Sequence, residues 1–326
     1  MATARKLRSG SPILRLVTVR FIWTVAILLG VSVITFVLMR ALPGDFAIAA
    51  AGSQFVQADV LATTRRELGL DLPLWQQYVR WLGSALQGDL GNSFLTRRPV
   101  MAEIGPRFVV TAQLTLIAGL MALLIGGTTG LLSARLRGRA DGVVRLINGF
   151  SLAVPNFVVA TLVVLMVGLY FPFLNLFNYT PFRVDPIANI GGLLLPALCL
   201  ALAVSVTVSE NTRAAVLEVS SQDFVMVARA KGLRPGRVLR NYLVRNALTP
   251  VITVTGLQVA SLLGGSILIE TIFAIPGMGQ YLFDSITSRD YPVIQAIVLL
   301  SAAVVVFVNL LVDIAYAKAD ARVRYE

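Results

Sequence analysis

Histidine is absent from the 326 residues, and cysteine occurs once, at Cys199. An internal disulfide framework is therefore excluded, and a metal site would lack its commonest nitrogen and sulfur ligands. A Ser–His or Cys–His catalytic pair is excluded for the same reason. Charge is also scarce. Asp, Glu, Lys and Arg make up 14% of the chain against 56% hydrophobic residues, and the mean hydropathy is +0.79. A soluble domain carries about a quarter charged residues. No Gly-x4-Gly-Lys-Ser/Thr element occurs, so the chain offers no phosphate cradle of that kind. Internal repeats, low-complexity tracts and linkers to a second soluble domain are missing too.

What remains is a set of long apolar runs. They lie near 21–39, 109–133, 147–170, 190–208, 251–273 and 293–316. Each is long enough to cross a hydrocarbon layer about 30 Å thick as a helix. Nothing resembles the short alternating segments of a barrel. The expectation is an all-α, polytopic membrane protein with six transmembrane helices. Cys199 sits inside the fourth run and reads as a small core residue.

The net charge of +11 invites a nucleic-acid reading, but its distribution excludes one. Of 28 lysines and arginines, 19 fall in the N-terminal tail, between spans 2 and 3, between spans 4 and 5, and after span 6. All four segments lie on one side of a six-span chain, and the other side is nearly neutral. Excess cation marks the cytoplasmic face. This predicts cytoplasmic tails at 1–20 and 318–326, a first membrane helix at 21–39, and an outer segment at 40–107. A core over 108–317 would carry a cytoplasmic loop at 209–249. The chain would then be multi-pass with both termini inside. Although Arg5, Lys6 and Arg8 precede an apolar run, that run is longer than a signal-peptide core. It is expected to stay as the first helix.

Ionisable groups within the spans are few: Glu270 near the end of span 5 and Asp313 near the end of span 6. Ion-coupled carriers usually need carboxylates or histidines near the midplane. Asn156 beside Pro155, Gln258 and Glu270 are the candidates for a translocation or gating role. Each has a plainer reading as well: Pro155 kinks a helix, and Glu270 caps or pairs near an interface. Glycine pairs at 126–127, 191–192 and 264–265 suit close helix packing. In the outer segment, two short amphipathic helices are expected. Leu68-Gly69 would end the first and Pro73 begin the second. Trp75, Tyr78, Trp81 and Leu82 share one face of the second, suited to the lipid interface or to a partner.

The densest cationic block, "ARAKGLRPGRVLRNYLVRNA" (228–247), holds six cations and no acid. Its sign fixes topology, but its pattern of small residues suggests more. "DFVMVARAKGL" followed by "RNALTPVIT" resembles the "EAA" loop of ABC-importer permeases, in the dipeptide/oligopeptide/nickel branch. Ala228, Ala230 and Gly232 match the small positions and Pro250 the closing proline, while Met226 stands where the motif's acid would be. "RFIWTVAILLGVSVITFVLMRALPGD", "ELGLDLPLWQQYVRWLGSALQGDLGNSF" and "GGSILIETIFAIPGMGQYLFDSITSRDYPVIQA" resemble the same branch in the same order. Ala321 departs from its usual proline.

The resemblance implies a type I ABC-importer permease fold, a place in a bacterial inner membrane, and a non-enzymatic subunit without a cofactor. Ala228, Arg229, Ala230, Lys231, Gly232 and Leu233 would form the coupling helix. The implied partners are a second homologous permease, two cytoplasmic ABC ATPases, a periplasmic solute-binding protein and the lipid bilayer, with no nucleic acid. An ion-gradient-driven carrier or channel is the alternative.

Overall fold

The computed structural model describes residues 12–41, 46–51, 58–136, 139–173 and 176–319. Pro43, Asp45, Ala321 and the tail residues 1–11 and 320–326 lie outside them, as does the side chain of Asp313; residues 12–20 of the expected N-terminal tail belong to the first helix. Among the described residues the chain is helical throughout, with one isolated bridge between Asn92 and Pro99.

Helix α1 (Pro12–Ala41) is followed by the short α2 (Phe46–Ala51), α3 (Ala58–Glu67) and α4 (Leu74–Leu86). Next come α5 (Val100–Arg135), α6 (Arg139–Ala153), α7 (Asn156–Tyr170) and α8 (Pro186–Ser220). The short α9 (Asp223–Ala230) and α10 (Pro235–Val238) lead through a π-helical turn at 239–244 into α11 (Arg245–Ile272). Then α12 (Met278–Ser288) precedes α13 (Tyr291–Ala319).

Five of these helices are long and apolar enough to span a membrane, and α6 with α7 makes a sixth span if taken together. The third expected span is thus not one helix. It turns by 92° between Ala153 and Asn156. Pro155 explains the break: its nitrogen has no proton to donate, and its ring disfavours helical geometry in the residue before it. Its own backbone is extended (φ −60°, ψ 140°), and it opens α7 as the N-cap.

The core forms where α5, α8 and α11 meet, around Leu114, Ala118, Ala122, Leu193, Leu200 and Val208. Helices α5 and α8 run side by side through small residues. A methyl group added at Gly126 would lie 2.7 Å from Cβ of Val208, and one at Gly130 2.7 Å from Cβ of Thr212. Ser205 and Ser209 present their backbone carbonyls at the same two places. Two small residues four apart on each helix let the backbones approach and gain dispersion contacts, because lipid supplies no hydrophobic drive between spans. Of the expected glycine pairs, only Gly126 and Gly265 pack closely, Gly265 against Leu200. Gly127, Gly191 and Gly264 face open space. Adjacent glycines point to different faces of a helix, so the useful spacing was 126 to 130. Cys199 is buried in this core.

At one end of the bundle, Asp141 at the start of α6 accepts from Ser133 of α5 and forms a two-point ion pair with Arg213 of α8 (Nη2–Oδ2 2.9 Å). This ties α5, α6 and α8 at the end that carries α9. The other end gathers α2–α4, α12 and the start of α13.

Helix α1 lies at the edge, against α13 and α4. The aromatic face of α4 is used there, within the chain. Tyr78 shares a hydrogen bond with Ser32 (2.8 Å), and Phe36 of α1 packs edge-on to Tyr78 and beside Trp81. Trp75 is left exposed. Helix α3 ends as its sequence suggests. Gly69 takes a left-handed φ of +63°, and Leu70 N–H donates to Arg65 O at 2.8 Å. Pro73 is the N-cap of α4 rather than part of its first turn.

Candidate functional site

The block from Ala228 to Leu233 forms the second half of α9 and its exit. Val225 and Ala228 are buried against Val238 and Leu243, with Leu233, Leu239 and Tyr242 closing a small apolar cluster separate from the main core. The opposite side of α9 is open: Met226 is 66% and Val227 51% exposed, and Phe224, Arg229, Ala230 and Lys231 are exposed as well. Phe224 lies against the Tyr242 ring at 6.4 Å between centroids.

Gly232 ends the helix. Its φ is +72°, its N–H donates to Arg229 O (2.9 Å), and Leu233 N–H donates to Ala228 O (3.3 Å). This is the paired hydrogen-bond pattern of a left-handed helix cap, with Leu233 folded back on the apolar cluster. No atom approaches the Cα side of Gly232 within 4 Å, so backbone conformation alone requires the glycine. The six residues therefore divide. Ala228, Gly232 and Leu233 build the helix and seat it on its own chain; Arg229, Ala230 and Lys231 face outward.

Glu270 lies at the other end, in the last turn of α11, with no exposed surface. Its Oε2 accepts the backbone N–H groups of Gly279 (2.7 Å) and Gln280 (3.2 Å), in the first turn of α12. Thr111 of α5 accepts the Met278 N–H (2.8 Å) beside it. A carboxylate at a helix N-terminus satisfies unpaired amides and meets the positive end of the helix dipole. Gly277 and Gly279 make room: a Cβ at either would collide with the Glu270 carboxylate. Glu270 Oε1 has no partner among the described residues.

Gln258 is half-buried on α11, twelve residues from Glu270 and so about 18 Å along the helix. Asn156 is half-buried in the first turn of α7. No hydrogen bond joins Asn156, Gln258 and Glu270, and Gln258 and Glu270 are separated along α11, so the three do not form one bonded cluster.

Sequence reading missed two fixtures at the Glu270 end. Asp290, almost fully buried, accepts from Ser93 Oγ and from the backbone N–H of Phe94 (3.0 Å) and Leu95 (3.4 Å). It clamps the 91–99 turn onto the junction of α12 and α13. Nearby, Tyr281 donates to Glu103, while the Arg107 guanidinium sits 4.0 Å over the Tyr281 ring. Burial and the adjacent Glu103 carboxylate push the Tyr281 phenol well above its ordinary range, which keeps it a donor. These partners lie nearly 200 residues apart in the first case and 178 in the second, so no local pattern announces them.

Two family descriptions match the chain. "Binding-protein-dependent transport system inner membrane component" covers residues 126–325, and the N-terminal component of the same system covers 13–115. The glutathione transport system permease protein of Escherichia coli O6:H1 is 37% identical over 297 residues, covering 91% of this chain and 94% of that protein. The dipeptide transport system permease protein of Escherichia coli K12 is 34% identical over 333 residues, covering 91% and 95%. With the helical fold and the membrane spans, these matches mean that the chain belongs to the binding-protein-dependent transport system inner membrane components, as a permease subunit of an ABC importer of the dipeptide/oligopeptide branch.

Proposed function

We propose that this chain pairs with a second, homologous permease to form half of a pathway for short peptides or related small solutes. A periplasmic binding protein delivers the solute at the α12 end. Two ATPase subunits dock at the α9 end, which faces the cytoplasm together with both termini. The permease itself hydrolyses nothing and holds no cofactor. The peptide class follows from the relatives, one described by dipeptide and one by glutathione transport. The orientation rests on the excess of cations at the α9 end.

The observation that carries the reading is the construction of α9. A helix of eight residues stands outside the spans, fixed to its own chain through Val225 and Ala228, with apolar and cationic side chains on its open side. Exposed apolar residues beside the water-facing end of a membrane protein suit a protein partner. Arg229, Ala230 and Lys231 would meet the ATPase, and Gly232 with Leu233 would hold the helix at its angle. Closure of the ATPases would move α9, and with it α8 and α11. Asn156 and Gln258, both on spans of the core, would line the pathway, and Glu270 would keep α12 fixed to α11 as the spans tilt.

Reconstitution of the complete importer in vesicles tests this. Uptake of a labelled dipeptide should require the binding protein and ATP, and should stop when the ATPases carry an inactivated nucleotide site. Uptake that persists without ATP and follows an imposed proton or sodium gradient would overturn it in favour of a carrier.

A further inference from the structure

The turn at 91–99, between α4 and α5, is braced along its whole length. Ser93 N–H donates to Arg98 O (3.0 Å), Arg97 N–H to Ser93 O (3.1 Å), and Val100 N–H to Gly91 O (2.9 Å). Ser93 Oγ accepts the N–H groups of Leu95 (3.2 Å) and Thr96 (2.9 Å) while it donates to Asp290. Arg97, at a left-handed φ of +60°, donates from its guanidinium to Ala50 O in α2 (2.6 Å). The tip held by these bonds is nevertheless uncovered. Leu95 is 72% exposed, Thr96 and Arg98 are exposed, and so is Met101 on the first turn of α5. A lone exposed leucine is ordinary; one presented on a fixed scaffold is the usual form of a binding loop.

Lipid does not reach this leucine. Helix α5 has 36 residues and so measures about 54 Å, against a hydrocarbon layer of about 30 Å. Glu103 and Arg107 lie in its first two turns, which puts much of the excess at the end that carries the turn. The surroundings of the tip are cationic. No acid occurs from 90 to 102, and Asp290 is buried by the turn. Arg98 on the turn and Arg289 next to Asp290 are exposed, and neither has an ion pair among the described residues. Asp284 is the one acid on α12. The complement of this surface is an apolar recess with carboxylates on its rim, on a protein that approaches through water.

We propose that the 93–98 turn is the docking element for the solute-binding protein. Leu95 enters an apolar recess of that protein, and Arg98 and Arg289 meet carboxylates around it. The family is described by its dependence on a binding protein, and the turn stands at the end opposite α9. This role rests on the proposed delivery of solute at the α12 end. A turn already fixed by its own hydrogen bonds loses little conformational freedom on docking, and the cations speed the encounter.

The test titrates the complete importer, held in lipid nanodiscs, with its purified and labelled binding protein. Leu95→Asp should weaken binding about tenfold or more. Arg98→Glu should weaken it about tenfold, mainly through slower association that loses its dependence on salt. Leu86→Asp alters another exposed leucine, at the end of α4, and should leave binding unchanged. All three side chains are exposed, so each variant should keep its partner permease and its basal ATP hydrolysis. Unchanged binding in Leu95→Asp, or an equal loss in Leu95→Asp and Leu86→Asp, would overturn the docking assignment. Loss of the partner permease from Leu95→Asp would overturn it too, and would place the turn between the two permeases. Uptake by the unaltered importer without any binding protein would instead remove the delivery reading on which the assignment rests.

Discussion

Glu270 Oε2 holds the backbone N–H of Gly279 at 2.7 Å, joining the end of one span to the start of the next short helix. The bond spans nine residues and a tight turn, in which Ala274 takes a left-handed φ of +51°. Glu270→Ala would leave two buried amides unpaired and should cost about 2–3 kcal/mol. Glu270→Gln keeps an acceptor and should cost about half as much. Thermal unfolding of the purified complex checks both. Equal melting temperatures for the two variants would show that the carboxyl does not serve as a cap.

The α5–α8 contact gives a matched pair of glycines. Gly126→Leu should prevent accumulation of folded protein, because its side chain would meet the α8 backbone and Val208. Gly127→Leu points into open space and should leave the membrane level near normal. Immunoblots of membrane fractions measure the difference.

On α4, Trp81→Ala should lower stability by about 1 kcal/mol by removing its contact with Phe36, whereas Trp75→Ala should have little effect on folding. Melting curves of the two variants side by side decide this. A larger loss for Trp75 would place a partner on that exposed ring.

Asp290→Asn weakens a carboxylate that accepts three donors from the 93–95 stretch. The turn should loosen, and trypsin should cut after Arg97 several times faster than in the unaltered complex; the Arg98–Pro99 bond resists trypsin. An unchanged cleavage rate would show that the turn is held by other contacts.

Much of the architecture is written in the chain because lipid punishes unpaired backbone, which makes long apolar runs helical. The Gly69 cap was equally local. The break at Pro155 was visible as a kink, but its 92° depends on how α6 and α7 pack on their neighbours. The docking of Tyr78 on Ser32 spans 46 residues, and the Asp290 clamp spans 197 on Ser93. Amphipathic spacing shows that a face is apolar, not what covers it. The short helix at 223–230 and its glycine cap were legible through small residues, and its coupling role stays a proposal. The separate duties of those residues were not legible, since Ala228 and Ala230 differ only in which side of α9 they occupy. That distinction changes the choice of probe. Gly232→Trp would strain a left-handed backbone as well as add bulk, so Ala230 is the cleaner position.

The central claim, that α9 transmits ATPase closure to this permease, is tested most directly by Ala230→Trp in the complete importer. Solute-stimulated ATP hydrolysis and uptake should both fall at least tenfold while the chain stays in the membrane with its partner permease. In parallel, a cysteine at Ala230 should crosslink to the ATPase, with the buried Cys199 silent. Normal stimulated hydrolysis and uptake in Ala230→Trp, with no crosslink from position 230, would contradict the account.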